Sequence, residues 1–173
     1  MEKEKKISTI VLAGGCFWCV AMPYYDLEGI LEVTSGYIGG SKTDAIYEKV
    51  KSQQTLHREA IRLTYDQTKI SLKEILDIYF SVIDPFDSGG QFIDRGSSYT
   101  LALFYNTSQD KSIISEYINN FEKTQNQKVA IEVLEETEFY PAEEYHQNYA
   151  IKNPKEMEEE LKNSGRIKEK LKL

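Results

Sequence analysis

The thiol inventory of this 173-residue chain is two cysteines, three apart, in Cys16-Phe17-Trp18-Cys19. An apolar run from Ile10 to Ala13 reads as a short buried strand, and the two glycines that follow permit a tight turn and close approach of another molecule to the backbone. Cys16 then falls in the first turn of a helix expected over residues 16–26. A thiol there faces unpaired N–H groups and the positive end of the helix dipole, which lowers a cysteine pKa from about 8.5 into a range of about 3.5–7.5. The thiolate is the nucleophile, so the placement suggests nucleophilic or redox chemistry. Phe17 and Trp18 are placed to wall an apolar pocket beside it, and Cys19 is in reach of a disulfide with Cys16. Free cysteines also serve as small buried hydrophobes, and on spacing alone that structural role stays open. No metal is expected, because His57 and His146 lack the close pairing of a zinc finger.

A second candidate is an acid. The segment of residues 59–65 alternates as a half-buried strand, which puts Glu59 on the face of Ile61 and Leu63 and Ala60 on the face of Arg62. A carboxylate on an apolar face needs a reason. The plain alternative is a strand-end carboxylate facing solvent. Among twelve tyrosines, any single one is by default a packing residue, and Asp94 taken alone is an ordinary turn aspartate.

The elements that must position these groups follow from local pattern. Strands are expected over residues 30–37, 59–65, 99–105 and 129–135. Ser71 caps a helix over residues 72–82, with Glu74 completing a capping box. A second amphipathic helix is expected over residues 108–123, burying Ile113, Tyr117 and Phe121. Residues 41–56 and 84–96 read as loops, the first carrying Tyr47; loops of that length in a compact domain are often functional. From residue 141 on, short helices lead to a charged helical tail. The order suggests an α+β fold, a two-layer α/β sandwich with a ferredoxin-like core and a mixed, mostly antiparallel sheet. One catalytic domain is expected over residues 1–173, with its core at about residues 8–154 and the charged tail over residues 155–173.

Composition narrows the class. A hydrophobic fraction of 40% argues for a globular protein, and a net charge of −7 argues against a nucleic-acid face. The lysines near residues 3–6 and 168–172 alternate with glutamates and read as solvated ends. No run of about 18 apolar residues offers a membrane span, and the first residues do not read as a secretion signal. A cytoplasmic monomer is the expectation. In a reducing compartment a close cysteine pair favours redox chemistry over a structural staple.

Several motifs occur in order: Gly15-Cys16-Phe17-Trp18, Gly36-Tyr37-x-Gly39-Gly40, Tyr47, His57-x-Glu59, Gln91-x-x-Asp94-x-Gly96-x-x-Tyr99 and Ala142-Glu143-x-Tyr145-His146-Gln147. Together, over about residues 8–154, they resemble the peptide methionine sulfoxide reductases of the A class. The resemblance implies a peptide-methionine (S)-S-oxide reductase acting on oxidised proteins and free methionine sulfoxide, one enzyme per sulfoxide epimer. It implies Cys16 as nucleophile and Glu59 as acid, its proton retained near neutral pH by burial. It also implies Tyr47 and Tyr99 as phenols on the sulfoxide oxygen and Asp94 as a support of that polar corner. Phe17 and Trp18 would enclose the S-methyl group. No cofactor is implied beyond an external thiol reductant: thioredoxin, glutaredoxin or glutathione.

Many members of that family have glycine where Cys19 stands and a resolving cysteine near the carboxy terminus, where this chain has none. Two routes therefore stay open: Cys19 resolves the sulfenate, or an external thiol attacks Cys16. The external route is preferred, because the family does not generally use this position. Thr100 also stands where arginine often follows the loop tyrosine, and Phe92 and Ile93 replace smaller or more polar residues. The competing reading is a thioredoxin-like dithiol oxidoreductase using Cys16 and Cys19 alone. The order of elements argues against it, and it leaves Glu59, Tyr47 and Tyr99 without a shared task.

Overall fold

The computed structural model describes residues 4–166. In chain order the elements are β1 (Ile7–Ala13), α1 (Phe17–Ala21), β2 (Ile30–Ile38), α2 (Tyr47–Lys51), β3 (Arg58–Asp66) and α3 (Leu72–Val82). A two-stranded hairpin follows, β4 (Gly90–Gln91) and β5 (Asp94–Arg95), then β6 (Ala102–Tyr105), α4 (Ser108–Gln125) and β7 (Glu132–Glu135). The described chain closes with β8 (Phe139–Pro141), α5 (Tyr149–Lys152) and α6 (Pro154–Ser164). The main sheet runs β7-β6-β1-β3-β2-β8. Its pairings are antiparallel except β6 with β7, so the fold is mixed α/β with a mixed, mostly antiparallel sheet.

Alternation along the central strands sorts their side chains onto two faces. Ile10 and Leu12 of β1 and Ile61 and Leu63 of β3 pack against Phe17 and Val20 of α1, Ile75 and Tyr79 of α3, and Ile114 of α4. The other face carries Val11, Ala13, Ala60, Ala102 and Phe104. The Tyr79 hydroxyl donates to the Ala13 carbonyl at 2.7 Å. That bond pins the end of β1, three residues before Cys16, to the buried face of α3. Ser71 accepts from the Glu74 N–H as expected, and Thr107 does the same for Asp110 at the start of α4, a cap of about 1 kcal/mol.

Four local expectations change. The first helix is only Phe17–Ala21, followed by a 3-10 turn Met22–Tyr24. Pro23 has no N–H to continue the α ladder. The loop of residues 41–56 contains α2, and that of residues 84–96 contains the β4–β5 hairpin. Tyr99 ends a 3-10 turn, Ser97–Tyr99, instead of starting a strand. In α4 the buried apolar residues are Ile114 and Ile118, whereas Ile113, Tyr117 and Phe121 are half-buried at the margin of the core. Of the terminal lysine clusters read as solvated ends, residues 4–6 are exposed, and residues 3 and 168–172 lie outside the described residues. Among those residues, no helix is long and apolar enough to cross a membrane.

Candidate active site

Cys16 is the residue before α1, with Gly15 behind it at φ +88°. A Cβ on Gly15 would meet the Gln91 Cβ at 2.7 Å, so both backbone sign and space demand glycine. Gly15→Ala is expected to cost at least about 1–2 kcal/mol through the left-handed backbone alone. It should also displace Cys16, and a thermal melt beside a turnover assay would separate the two effects.

Glu59 stands on the face of Ile61 and Leu63, as alternation required, and is 2% exposed. Its Oε1 accepts the Phe17 backbone N–H at 3.2 Å. The first N–H of α1 is thus spent on the acid and not on the thiol. Burial holds the Glu59 pKa well above its ordinary value and negative charge at Cys16 adds to this; the hydrogen bonds from Phe17 N–H and Tyr99 oppose it. The carboxyl is protonated where a solvated glutamate would be charged.

The Cys16 thiol departs from expectation. Its pKa is raised well above the ordinary value, first by the neighbouring Cys19 thiol, then by burial and by the charges of Cys19 and Asp94; Arg166 opposes them. A five-residue helix with its leading N–H already engaged cannot offset that environment. Cys16 and Cys19, both reduced and buried, share a cluster with Met157 and Leu161 of α6. The charged tail therefore carries an apolar stripe that roofs the dithiol.

One cavity of about 210 Å³ is lined by Cys16, Phe17, Trp18, Tyr47, Glu59, Asp94 and Tyr99, together with Lys51 and Glu160. The candidate nucleophile, acid, phenols, Asp94 and aromatic wall all meet there, and Cys19 lies behind Cys16. A larger groove of about 680 Å³ beside β2, floored by Tyr24, Ile30 and Arg62, holds neither thiol nor buried acid. Chemistry, not size, identifies the site. Burial raises the pKa of Tyr47 and Tyr99 first, with Glu59 charge adding, so both phenols stay hydrogen-bond donors. Asp94 is likewise raised by burial, and its Oδ2 is buried with no partner among the described residues.

The walls are held from behind. Trp18 stacks on Tyr149 at 3.8 Å between ring centroids and donates its indole N–H to His146 Nδ1 at 3.1 Å. Burial lowers the His146 pKa, and a neutral ring that accepts at Nδ1 carries its proton on Nε2. His146 thereby orients the Trp18 wall of the cavity. Glu143 was only a motif letter in the sequence. Here it accepts from the Tyr37 hydroxyl at 2.7 Å and from the Tyr47 N–H at 3.1 Å, and so aims Tyr47. Gln53 accepts the Ser98 N–H at 2.9 Å and secures the turn that carries Tyr99. Thr100 donates to the Ser97 carbonyl at 2.7 Å and accepts from Arg58 Nε at 2.9 Å. The departure from the family pattern at Thr100 is thus absorbed by a cation on the neighbouring strand. Glu160 and Arg166 were missed altogether, and neither lies in a motif that could have signalled it.

Residues 8–172 match a family model described as peptide methionine sulfoxide reductase. A Bacillus licheniformis protein named peptide methionine sulfoxide reductase MsrA is 41% identical over 168 residues, 96% of this chain and 92% of that one. Peptide methionine sulfoxide reductase MsrA 2 of Staphylococcus aureus is 41% identical over 162 residues, 90% of this chain and 89% of that one. Among solved structures, Mxr1 from Saccharomyces cerevisiae in reduced form matches with a TM-score of 0.81 at 29% identity, covering 90% of each chain.

Proposed function

The chain belongs to the peptide methionine sulfoxide reductase family, and on that premise we propose how this site reduces a methionine S-sulfoxide. The methyl group packs against Phe17 and Trp18. Tyr47 and Tyr99 donate to the sulfoxide oxygen, with Asp94 supporting that corner. Cys16, as thiolate, attacks the electrophilic sulfur while the Glu59 proton passes to the sulfoxide oxygen. The S–O bond breaks, methionine leaves, and the oxygen remains on Cys16 as a sulfenic acid. A thiol then displaces that oxygen as water and forms a disulfide, so two thiols supply the two electrons of the reduction. The observation that carries this reading is the convergence of a buried, protonated acid, two phenols and a cysteine on one small apolar-walled cavity.

For the resolving step we infer Cys19. It is buried at 2% exposure, one helical turn from Cys16, and its thiol is the strongest influence on the Cys16 thiol. An external thiol would have to enter through the cavity that admits the substrate, whereas Cys19 is already beside Cys16. A small dithiol protein of thioredoxin type then reduces the Cys16–Cys19 disulfide; glutaredoxin and glutathione are the other candidates. The relative Mxr1 is known in complex with Trx2, which is a precedent for that protein. The fold reads as ferredoxin-like, supported by the antiparallel order β6-β1-β3-β2 with β7 and β8 added at the edges. The reading also takes the chain as a single catalytic domain acting as a monomer in the cytoplasm.

Thiol counting before and after one turnover tests the scheme. Wild type is expected to lose both thiols, and Cys19→Ser to lose one and retain a sulfenate. One thiol lost in each protein assigns resolution to an external thiol. No thiol consumed by either removes the reductase reading.

A further inference from the structure

Arg166, the last described residue, is 2% exposed, which is exceptional for a guanidinium. It lies at the far end of the chain from Cys16, yet Nη2 donates to the Gly14 carbonyl at 3.0 Å and Nη1 to the Val82 carbonyl at 2.8 Å. The two bonds tie the turn before the nucleophile to the end of α3. Its planar face lies over the Phe92 ring, 4.7 Å from the centroid. Phe92 is the left-handed residue, at φ +55°, between β4 and β5, and β5 carries Asp94. A Cβ on Gly15 would sit 2.8 Å from Nη2, so the glycine next to Cys16 makes room for the cation. Nε is buried without a partner among the described residues. A cation is thus desolvated between the two polypeptide segments that deliver Cys16 and Asp94. Bare packing would be served as well by a methionine or leucine at no desolvation cost.

We propose that Arg166 is a positioning residue for the reduction: it clamps the Gly14–Gly15 turn and the Asp94 hairpin, and its fixed charge supports the Cys16 thiolate. The proposal rests on Cys16 being the nucleophile. The charged and titratable groups bearing on that thiol are Cys19 from α1, Glu59 from β3, Asp94 from β5, Glu160 from α6 and Arg166, with Tyr47 and Lys51 of α2, Tyr99, and Tyr149 of α5 around them. Cys19, burial and Asp94 all disfavour the thiolate, and Arg166 favours it. Arginine suits the task because one planar fork reaches both carbonyls and still stacks on the ring. Without it, the acids gathered around Cys16 lose their buried counter-charge.

Three proteins test this, each in the Cys19→Ser background so that one reactive thiol is followed. They are Arg166 intact, Arg166→Gln and Arg166→Lys. Single-turnover rate with a methionine S-sulfoxide, and the pH midpoint of Cys16 alkylation by iodoacetamide, are measured on each. Arg166→Gln is expected to raise the midpoint by about one pH unit, a tenfold smaller thiolate fraction below it, and to slow turnover about tenfold. Arg166→Lys should return the midpoint close to its starting value while recovering the rate only in part. An unchanged midpoint and rate in Arg166→Gln overturns the proposal. So does an equal loss of rate in both variants with neither midpoint moved, which marks a merely structural residue. Should Arg166→Gln not fold, Phe92→Leu takes its place: it removes the ring beneath the guanidinium and spares both carbonyl bonds. A smaller shift in the same direction supports the clamp, and no change overturns it. Failure of the parent protein to turn over at all would instead count against the reductase mechanism itself.

Discussion

Cys16→Ser is expected to abolish sulfoxide reduction, lowering the single-turnover rate by at least about 10⁴-fold, the scale on which loss of a nucleophile is felt. The hydroxyl of serine is far less acidic than a thiol, and Glu59 is occupied as an acid, so nothing nearby can activate it. Serine is nearly isosteric here, and the backbone contacts that fix position 16 do not involve sulfur: the Cys19 and Val20 N–H groups donate to the Cys16 carbonyl at 3.1 and 3.2 Å. The variant should fold, bind substrate and consume no thiol. Turnover retained within tenfold of wild type would mean that the reacting sulfur is not Cys16.

Glu59→Gln is the second large effect, a loss of about 10²–10⁴-fold in the chemical step, the usual worth of a positioned general acid. The glutamine oxygen can still accept the Phe17 N–H that Glu59 accepts at 3.2 Å, so geometry is retained while the transferable proton is lost. The pH dependence follows from the direction of the shift. Burial raises the Glu59 pKa above its ordinary 4.5, so the acid stays loaded beyond that value and is lost as pH climbs through the raised pKa. Wild-type turnover should fall on that alkaline limb, and the glutamine variant should lack it. Because Cys16 and Glu59 act on one another, the limb belongs to the pair.

Stability should move the other way. A carboxyl with a raised folded-state pKa makes its full contribution below the unfolded value of 4.5 and loses it as pH rises through the folded value. Above that window wild type bears a buried charge and the glutamine variant does not. Above pH 4.5 unfolding releases the Glu59 proton, a drive towards the unfolded state that the glutamine variant lacks, so Glu59→Gln is expected to melt higher than wild type at pH 8. A variant that is both inactive and clearly less stable would indicate that Glu59 is needed to hold the site together.

Much of this site is legible in the chain because local pattern determines where side chains point. Alternation along residues 59–65 placed Glu59 inward, and β3 keeps that phase, with Glu59, Ile61 and Leu63 all buried. The capping pair of Ser71 and Glu74 set the start of α3. Cys16 follows β1, Glu59 lies on its sheet neighbour β3, and Asp94 on the separate β4–β5 hairpin, and these reach one cavity with Tyr47 and Tyr99. Loops were less legible. The short helix Tyr47–Lys51 has five residues and no side-chain cap, so propensity alone could not announce it.

What the sequence determined by itself is the identity and facing of the reacting groups: thiol, inward acid, aromatic wall, and the order of elements that carries them. What only the tertiary structure decided is their electrical state. Helix position alone predicts a depressed Cys16 pKa, but the folded chain raises it, because the deciding groups arrive from distant parts of the chain. Glu59 takes the Phe17 N–H from 42 residues away, and Arg166 reaches the Gly14 carbonyl across 152. Met157 and Leu161 of the charged tail bury both thiols. A pKa reports water excluded and charges within a few ångströms, and neither quantity has a local signature in sequence. The period of a strand does.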